Sequence, residues 1–589
     1  MTTVGKLLHG LEKKYKVYSL LCPLTMIGEV LMETAIPLMM AKIIDVGIAQ
    51  KNLPYVLKTG SLMILMSLVS LIFGGLGARF GALASLGFAR NLRQRLFGKI
   101  QTFSFGNIDN FSSSSLVTRL TTDVTNLQNT YQMIVRICFR APFMLLSGVI
   151  LAFHINSRLS LIFLAAIPFL GAALFFIAAT AYPRFKTMLA QYDKMNSRVQ
   201  ENLTAIRVVK SFVRSDYESR KFDEAAYDVR KFQVRAERIV ILNNPIMQAV
   251  VYVCIILALW FGGNMIVAGN MQTGELVSFI SYIGQILMSL MMLSMIFITI
   301  VLSRASTQRI TEVFDEIPEI QNPSGINVIH SDGSTTKEIF KRVPNGSVEF
   351  KNVSFSYVKD EKNCVLSDVN IKIESGSVVG IIGGTGSSKS TFVSLIPRLY
   401  DTLKGTVSVG GIDVRKYDLK TLRNSVAFVL QKNVLFSGTI KENLRWGNEN
   451  ATEEEIVNAC IASDAHEFIS TLPLGYDTVL GQGGVNISGG QKQRLCIARA
   501  LLKKPSILIL DDSTSAVDTA TDARIRMSLK KILPDATKII IAQRISSVKD
   551  ADVIYVFDNG KVNGYGTHSE LLENNGIYRE VYQSQQSQN

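Results

Sequence analysis

Residues 383–391 have the types and spacing of a phosphate-binding loop. They come close to the pattern GxxxxGK[ST], in which glycines let backbone N–H groups point at phosphate oxygens and the following helix N-terminus adds positive potential. Lys389 would reach the β- and γ-phosphates and Ser390 would bind Mg²⁺. The sequence therefore predicts a nucleotide site made of Gly383, Gly384, Thr385, Gly386, Ser387, Ser388, Lys389, Ser390 and Thr391.

Ser388 departs from this pattern, because it stands where the last glycine is expected. A side chain there would crowd the phosphate or disfavour a backbone angle that glycine adopts freely. The alternative interpretation is a Gly/Ser-rich turn with a chance lysine. The context favours a phosphate loop, since an apolar run (378–382, VVGII) precedes the segment as a predicted strand and an apolar helical run (392–396, FVSLI) follows it.

A second apolar run, residues 507–510 (ILIL), leads directly into Asp511 and Asp512. A strand that ends in a carboxylate beside a phosphate loop is how such proteins hold Mg²⁺. Asp511 is therefore the second predicted Mg²⁺ ligand. The alternative is a buried strand that ends in two aspartates by chance.

The elements around these motifs predict an α/β domain over residues 347–589. Val348, Phe350, Val353 and Phe355 begin a strand pattern. Before them, residues 316–346 are rich in Pro, Asn, Gly, Ser and charge, which predicts a linker.

Long apolar runs fill the first 303 residues. A bilayer core of about 30 Å needs about 20 helical residues. The runs predict an all-α membrane domain over residues 1–315, with six spans at about 18–48, 57–86, 134–156, 158–182, 243–269 and 273–303.

The formal net charge of +14 comes from 62 Lys and Arg against 48 Asp and Glu. Basic residues concentrate in the two long connections, 87–133 and 183–242, and basic loops face the cytoplasm. Both termini and residues 304–589 are therefore predicted to be cytoplasmic. A nucleic-acid partner, the other explanation of a basic chain, is not expected, because the Lys and Arg lie between apolar spans.

Glu29 and Glu33 lie four residues apart on one face of the first predicted span. A charge at mid-bilayer costs about 2.5–3.5 kcal/mol on insertion scales. We expect an internal ion pair, with Arg136 or Arg140 as the cation; contact with a transported substrate is the alternative.

Residues 487–494 (ISGGQKQR) lie between the two nucleotide motifs and resemble the LSGGQ signature of ATP-binding-cassette (ABC) proteins. Six spans followed by one fused cassette resemble a half-transporter of the ABC exporter type, and residues 111–124 are similar to that family's first intracellular loop. The resemblance implies a membrane all-α six-helix transmembrane domain fused to a cytoplasmic α/β P-loop ATPase domain. It also implies ATP and Mg²⁺ as cofactors and ATP hydrolysis coupled to transport.

The resemblance assigns roles to further residues. Tyr357 would stack on adenine, Gln431 would be the Q-loop residue near Mg²⁺, and residues 515–518 (SAVD), with Asp518, would form the D-loop. In this family two cassettes bind head to tail, so each ATP lies between one chain's phosphate loop and the other chain's signature. The signature contacts expected across the dimer are Ser488, Gly489, Gly490 and Gln491.

Two more positions depart from the family pattern. Asp512 stands in place of the Glu that aligns the attacking water, and its side chain is shorter by one C–C bond, about 1.5 Å. Gln543 stands in place of the switch His that contacts the γ-phosphate. With Ser388, both fall in one composite site, whereas the signature is nearly intact. This asymmetry predicts a heterodimer in which this chain's own pocket is slow or inactive, with catalytic positions Asp512, Gln543, Gln431 and Asp518.

The predicted function is ATP-driven export of amphipathic, multidrug-like small molecules across a bacterial plasma membrane. The expected partners are a second half-transporter, the lipid bilayer and a hydrophobic or amphipathic substrate. Two alternatives stay open: a homodimeric exporter of lipids or peptides, and a regulatory membrane ATPase subunit that does not transport.

Overall fold

The computed structural model describes residues 3–323, 326–329, 335–513 and 517–586. They form two compact units, the first comprising Met1–Gln101 with Ser112–Glu316 and the second comprising Thr102–Phe111 with Ile317–Asn589. The short segment Thr102–Phe111 thus groups with the second unit, although helices of the first unit flank it in the sequence.

The first unit is helical throughout its described elements, with π-helical turns at Ile43–Ile48 and Arg119–Asp123. The α-helices up to residue 315 are α1 (Thr3–Leu8), α2 (Lys13–Lys42), α3 (Leu53–Gln101), α4 (Phe105–Phe111, which belongs to the second unit), α5 (Ser113–Thr118), α6 (Val124–Ile155), α7 (Leu161–Thr204), α8 (Ile206–Ser211), α9 (Ser215–Val240), α10 (Asn243–Val267) and α11 (Thr273–Asp315).

Five helical stretches of the described residues are long and apolar enough to cross a membrane, and they cover five of the predicted spans to within three residues at each end. They are Leu53–Gln101, Ser113–Ile155, Leu161–Thr204, Ser215–Val267 and Thr273–Asp315. The remaining predicted span, 18–48, is helical in α2 and the π-helical turn after it, but it is not among these five; it carries Glu29 and Glu33. The helices α3 and α7 continue well past residues 86 and 182, into the two long connections.

Arg140 of α6 binds both carboxylates of α2. Its Nη1 lies 3.1 Å from Oε1 of Glu29, and its Nη2 donates to both carboxylate oxygens of Glu33 at 2.9 Å. The predicted internal ion pair is confirmed, with Arg140 as the cation. Glu29 is 8% exposed, and its Oε2 makes no hydrogen bond within the described part of the chain.

The second unit contains two large sheets. A six-stranded sheet has the order β14-β13-β5-β12-β11-β8, and a four-stranded antiparallel sheet has the order β4-β3-β6-β7. The strands are β1 (Ile326–Ile329), β2 (Thr335–Glu338), β3 (Val348–Phe355), β4 (Leu366–Ile373), β5 (Val378–Gly383), β6 (Lys404–Val409), β7 (Ile412–Asp413), β8 (Val426–Val429), β9 (Gly438–Thr439), β10 (Val479–Leu480), β11 (Ile507–Asp511), β12 (Thr537–Ile541), β13 (Val553–Asp558) and β14 (Lys561–Gly566). Strands β1 and β2 pair antiparallel inside the segment predicted as a linker.

Nine α-helices complete the described part of the second unit beyond residue 316. They are α12 (Lys389–Ser394), α13 (Leu419–Ser425), α14 (Ile440–Arg445), α15 (Glu453–Ala462), α16 (His466–Ser470), α17 (Gly489–Leu502), α18 (Thr519–Ile532), α19 (His568–Asn574) and α20 (Gly576–Gln586).

The centre of the large sheet is parallel, in the order β5-β12-β11-β8. All five residues of β11 and of β12 are buried. Parallel strands that are covered on both faces form nearly continuous apolar runs, which is why residues 378–382 and 507–510 were recognisable as strands. Because these strands run in the same direction, the loops that follow them meet at one edge of the sheet.

Candidate nucleotide site

The sequence-predicted residues of the pocket follow four neighbouring parallel strands. Gly383 ends β5, Gln543 follows β12, Asp511 ends β11, and Gln431 follows β8. The register pairs Ile541 with Ile381 on one side and with Asp511 on the other. The structure therefore brings the phosphate loop, both aspartates, Gln543 and Gln431 to one edge.

Lys389 lies over the phosphate loop. Its Nζ donates to the carbonyl oxygens of Gly383 and Gly384 at 2.8 Å and to Oγ of Ser387 at 3.1 Å. Burial lowers the pKa of the Lys389 amine. Phosphate oxygens are better acceptors than these carbonyls because they carry charge, so Lys389 is placed to exchange these contacts for a nucleotide.

Ser388 adopts the left-handed conformation that the pattern reserves for glycine. Its φ is 72° and its ψ is 20°, and it is the N-cap of α12. Gly386 also has a positive φ of 84°. The expectation that a non-glycine residue here meets a disfavoured backbone angle is therefore confirmed, because an L-residue in this region costs about 1–2 kcal/mol.

The predicted Mg²⁺ ligands are in contact. Ser390 donates from Oγ to Oδ1 of Asp511 at 3.0 Å. Asp511 is buried, and this burial raises the pKa of its carboxyl; the Ser390 bond opposes the shift and the neighbouring Asp512 adds to it. A hydroxyl and a carboxylate oxygen are ligands that Mg²⁺ prefers, together with phosphate oxygens and water, so the pair fits this ion.

Asp512 lies among side-chain amides. Gln543 donates from Nε2 to Oδ2 of Asp512 at 2.8 Å. Burial raises the pKa of the Asp512 carboxyl, and hydrogen bonds from Gln431 and Gln543 oppose that shift. Asp512 also has a positive φ of 47°, and its backbone N–H donates to Ile541 at 3.0 Å.

Tyr357, which is predicted to stack on adenine, lies beside the helix that follows the phosphate loop. Its ring is half exposed, and its hydroxyl lies 2.9 Å from Oγ1 of Thr391, in the helix that follows the phosphate loop. The Tyr400 ring meets it edge-on at 5.2 Å and donates its hydroxyl to Asp109 at 2.8 Å. No motif in the sequence indicated Tyr400 or Asp109.

The signature residues begin a helix. Ser488 is the N-cap of α17, and its Oγ accepts from the Gln491 N–H at 3.3 Å, while Oε1 of Gln491 accepts from the Ser488 N–H at 2.9 Å. Gly489 and Gly490 are the first two residues of the helix. The backbone N–H groups at this helix start give it a positive potential.

Asp518 caps α18, because its Oδ1 accepts from the Thr521 N–H at 2.9 Å. That bond lowers the pKa of the Asp518 carboxyl. Ser515 and Ala516, which the D-loop prediction includes, lie outside the described residues.

Gln585 is a second residue that the sequence did not indicate. It lies in α20 and bonds to the backbone on both sides of Arg544, donating to the Gln543 carbonyl at 2.8 Å and accepting from the Ile545 N–H at 2.9 Å. A glutamine in a polar helix has no motif that would distinguish it from its neighbours.

Comparison with known proteins identifies the chain. The model of the ABC transporter transmembrane region matches residues 19–291, and the ABC transporter model matches residues 366–515. The ABC transporter ATP-binding protein YfiB of Bacillus subtilis (strain 168) is 38% identical over 97% of this chain and 97% of its own length. The chain belongs to the ABC transporter family.

Two other relatives are similar in sequence to this ABC transporter over most of their length. The ABC transporter ATP-binding proteins Rv1273c of Mycobacterium tuberculosis (strain ATCC 25618 / H37Rv) and YknU of Bacillus subtilis (strain 168) are 36% and 34% identical, over 93% and 89% of this chain and 93% and 87% of theirs. The fold is similar to that of a bacterial Atm1-family ABC exporter with ATP bound, with a TM-score of 0.83, 24% identity, and coverage of 98% of this chain and 99% of that one.

The ABC transporter therefore has the predicted fold class, an all-helical transmembrane domain fused to an ABC ATPase domain. As a member of this family, the chain is a multi-pass membrane protein that binds ATP and takes part in ATP-driven transport. ABC exporters work as dimers in a membrane.

Proposed function

We propose that this ABC transporter exports amphipathic small molecules as one half of a heterodimer, in which its own pocket binds ATP and hydrolyses it slowly. Its membrane domain would cover residues 1–315, its linker 316–346 and its nucleotide domain 347–589. The observation that carries this proposal is the hydrogen bond between Gln543 and Asp512, since it joins two of the three departures from the family pattern in one pocket.

In this proposal the pocket is well equipped to hold a nucleotide. Lys389 binds the β- and γ-phosphates, and the backbone of residues 383–391 surrounds them. Ser390, Asp511 and Gln431 hold Mg²⁺, which neutralises phosphate charge when bound. Tyr357 stacks on the base. The 3.0 Å contact between Ser390 and Asp511 supports this assignment, because their oxygens already converge.

Slow hydrolysis follows from the surroundings of Asp512. Its carboxylate is short for a water-aligning group, and the amide groups of Gln431 and Gln543 already donate to it. Neutral amides also cannot supply the charge of a protonated histidine at the switch position. A catalytic group misplaced by about 1 Å can cost roughly 10²-fold in rate, so the chemical step here would be slower than at a complete site by about that factor.

The signature supports the second half of the proposal. Ser488, Gly489, Gly490 and Gln491 form a regular helix start, and such a start binds phosphate through its N–H groups and dipole. These signature residues, together with Asp518 in the D-loop, would complete a competent pocket on a different half-transporter. One sound signature and one impaired pocket are what a chain in an asymmetric pair would contribute.

A cavity in the first unit supports an amphipathic substrate. It has a volume of about 300 Å³, and its lining is apolar except for one arginine. The lining residues are Phe175, Ile177, Ala179, Ala181, Phe185, Val240, Phe297, Ile298, Val301 and Arg304. Such a lining fits a molecule that is largely hydrophobic.

The ATPase rate of the purified chain alone tests the proposal. We expect slow hydrolysis that substrates do not stimulate, together with co-purification of a second ABC half-transporter from the native membrane. The reconstituted pair should then show ATP-dependent uptake of amphipathic dyes into inside-out vesicles. Fast, substrate-stimulated hydrolysis by the chain alone would favour a homodimer, and hydrolysis without uptake by the pair would favour a regulatory subunit.

A further inference from the structure

The loop after β12 is held by one side chain from α20. The carboxamide of Gln585 donates through Nε2 to the Gln543 carbonyl at 2.8 Å and accepts through Oε1 from the Ile545 N–H at 2.9 Å. A single amide group thus satisfies a backbone acceptor and a backbone donor two residues apart, as a neighbouring strand would. The backbone on both sides of Arg544 is fixed by this contact.

The helix that carries Gln585 is firmly anchored. Tyr578 of α20 is fully buried, its hydroxyl lies 2.8 Å from Nδ1 of His568, and its N–H donates to the Asn575 side chain at 3.0 Å. Tyr578 precedes Gln585 by two helical turns. Since the helix cannot shift without breaking these contacts, Gln585 is held at a fixed place beside the loop.

The held loop carries the residue that reaches Asp512. We call the two backbone contacts of Gln585 the clamp. Gln543, at one end of the clamp, is exposed, whereas Ile545, at the other end, is 2% exposed. From the clamped backbone, the Gln543 side chain donates to Asp512 at 2.8 Å. Three side chains therefore form a series, with Gln585 fixing the backbone of Gln543 and Gln543 fixing the carboxylate of Asp512.

We propose that Gln585 is a positioning residue, which keeps Gln543 on Asp512 and thereby slows the release of nucleotide from this chain's pocket. The inference rests on the proposed function in one respect, that this pocket holds ATP. A pocket that hydrolyses ATP slowly keeps it only if the groups around the γ-phosphate stay ordered. Without the clamp, the exposed loop would have to be ordered anew at each binding event.

The release of a fluorescent, non-hydrolysable ATP analogue, mant-AMP-PNP with Mg²⁺, from the purified full-length chain tests this inference. Gln585→Ala removes both backbone contacts and should speed release about tenfold, as expected for two hydrogen bonds of ordinary net strength. Gln585→Glu keeps the acceptor for Ile545 and loses the donor to Gln543, so its release rate should lie between those of the wild type and Gln585→Ala. Gln583→Ala, at an exposed position of the same helix, should release the analogue at the wild-type rate.

A double-mutant comparison separates positioning from general support of the fold. If Gln585 acts through Gln543, adding Gln585→Ala to Gln543→Ala should change the release rate by less than about twofold. Full additivity of the two effects would overturn the proposal, and so would equal release from the wild type and Gln585→Ala. Because both contacts exist without nucleotide, Gln585→Ala should also lower the melting temperature of the nucleotide-free chain relative to Gln583→Ala. A lower melting temperature with release unchanged in both Gln585→Ala and Gln585→Glu would mean that Gln585 only supports the fold, and would overturn the proposal.

The outcome is independent of the ATPase test of the proposed function, because the analogue is not hydrolysed. Fast hydrolysis of ATP by the chain alone would contradict the slow-pocket proposal, but it would not change what the analogue's release rates from the wild type and the variants say about Gln585.

Discussion

Gln543 and Asp512, the two residues that replace a histidine and a glutamate of the family pattern, are hydrogen-bonded to each other over 2.8 Å between Nε2 and Oδ2. They end neighbouring segments after β12 and β11, so each lies within reach of the other. The Gln543 amide gives one oxygen of the Asp512 carboxylate a hydrogen-bond donor without adding charge to the pocket. The two departures therefore form one local arrangement, and we expect them to respond to mutation together.

If the chain works in the proposed asymmetric pair, Asp512→Gln should leave the ATPase rate of the pair within about twofold of the wild type. The mutated pocket would contribute little to turnover, because a carboxylate misplaced by about 1 Å can cost roughly 10²-fold in rate. The matched change is the replacement of the partner's catalytic Glu by Gln, which should lower the rate at least about 10²-fold. Phosphate release by the purified pair measures both. Equal losses from the two changes would contradict the asymmetry.

Ser388→Gly should stabilise the nucleotide domain. The left-handed conformation of Ser388, with φ of 72°, costs an L-residue about 1–2 kcal/mol, whereas glycine loses about 0.5–1 kcal/mol of that gain through its freer unfolded state. The net gain of up to about 1.5 kcal/mol would raise the melting temperature of a domain of this size by up to about 3–6 °C.

Ser388→Ala is the control for this prediction, because alanine keeps the backbone strain and loses only the hydroxyl. Its melting temperature should not rise. Thermal unfolding of both variants, with and without Mg²⁺-ATP, measures the effect. A gain for Ser388→Ala equal to that of Ser388→Gly would show that the hydroxyl, and not the backbone angle, is the cause.

The elements that hold the pocket were predictable from the sequence, because parallel strands buried on both faces leave uninterrupted apolar runs. Residues 378–382 and 507–510 are such runs, and both are strands in the structure. The start of a strand at Val348 and the helix start at Ser488 follow from equally local signals, alternation and a capping serine. The phosphate loop and the signature were recognisable because each is also a short, continuous stretch of sequence.

Contacts that depend on tertiary placement were not predictable. The sequence could not choose between Arg136 and Arg140 as the partner of the α2 carboxylates, since both lie on α6 one turn apart. The clamp between Gln585 and Gln543 joins residues 42 positions apart, and the grouping of Thr102–Phe111 with the second unit depends on packing. The hydrophobic periodicity of a segment indicates its own secondary structure and not which distant residues it contacts.

Arg140→Met is expected to destabilise the membrane domain by about 3–5 kcal/mol, because it leaves two carboxylates without their cation. Glu29 is 8% exposed, so water cannot replace the lost partner there. The triple variant Glu29→Gln, Glu33→Gln, Arg140→Met removes the charges together and should recover most of the loss. Thermal unfolding in detergent measures both variants.

Arg140→Lys is the matched control, since it keeps the charge but not the two-pronged geometry, and it should fall between the wild type and Arg140→Met. A triple variant no more stable than Arg140→Met would contradict the ion-pair explanation. It would point instead to a role for the arginine that does not depend on the two carboxylates.

The affinity for Mg²⁺-ATP should rise with pH through the raised pKa of Asp511. Burial favours the protonated form of this carboxyl in the nucleotide-free protein. The raised pKa of Asp511 therefore stabilises the folded protein fully at a pH below the unfolded pKa of the group, about 3.9. This stabilisation is lost as pH rises through the folded pKa. Mg²⁺ binds only the carboxylate, so binding releases a proton and strengthens once the group is ionised.

The same titration without Mg²⁺ distinguishes this carboxyl from the phosphates of ATP. An ionised Asp511 repels the phosphates when no metal lies between them, so metal-free affinity should fall or stay level as pH rises through the same range. Fluorescence titration of mant-ATP between pH 4.5 and 8, with Mg²⁺ and with EDTA, measures both curves. Asp511→Asn should remove the difference in slope; parallel curves in the wild type would show that the nucleotide, rather than this buried carboxyl, sets the pH dependence.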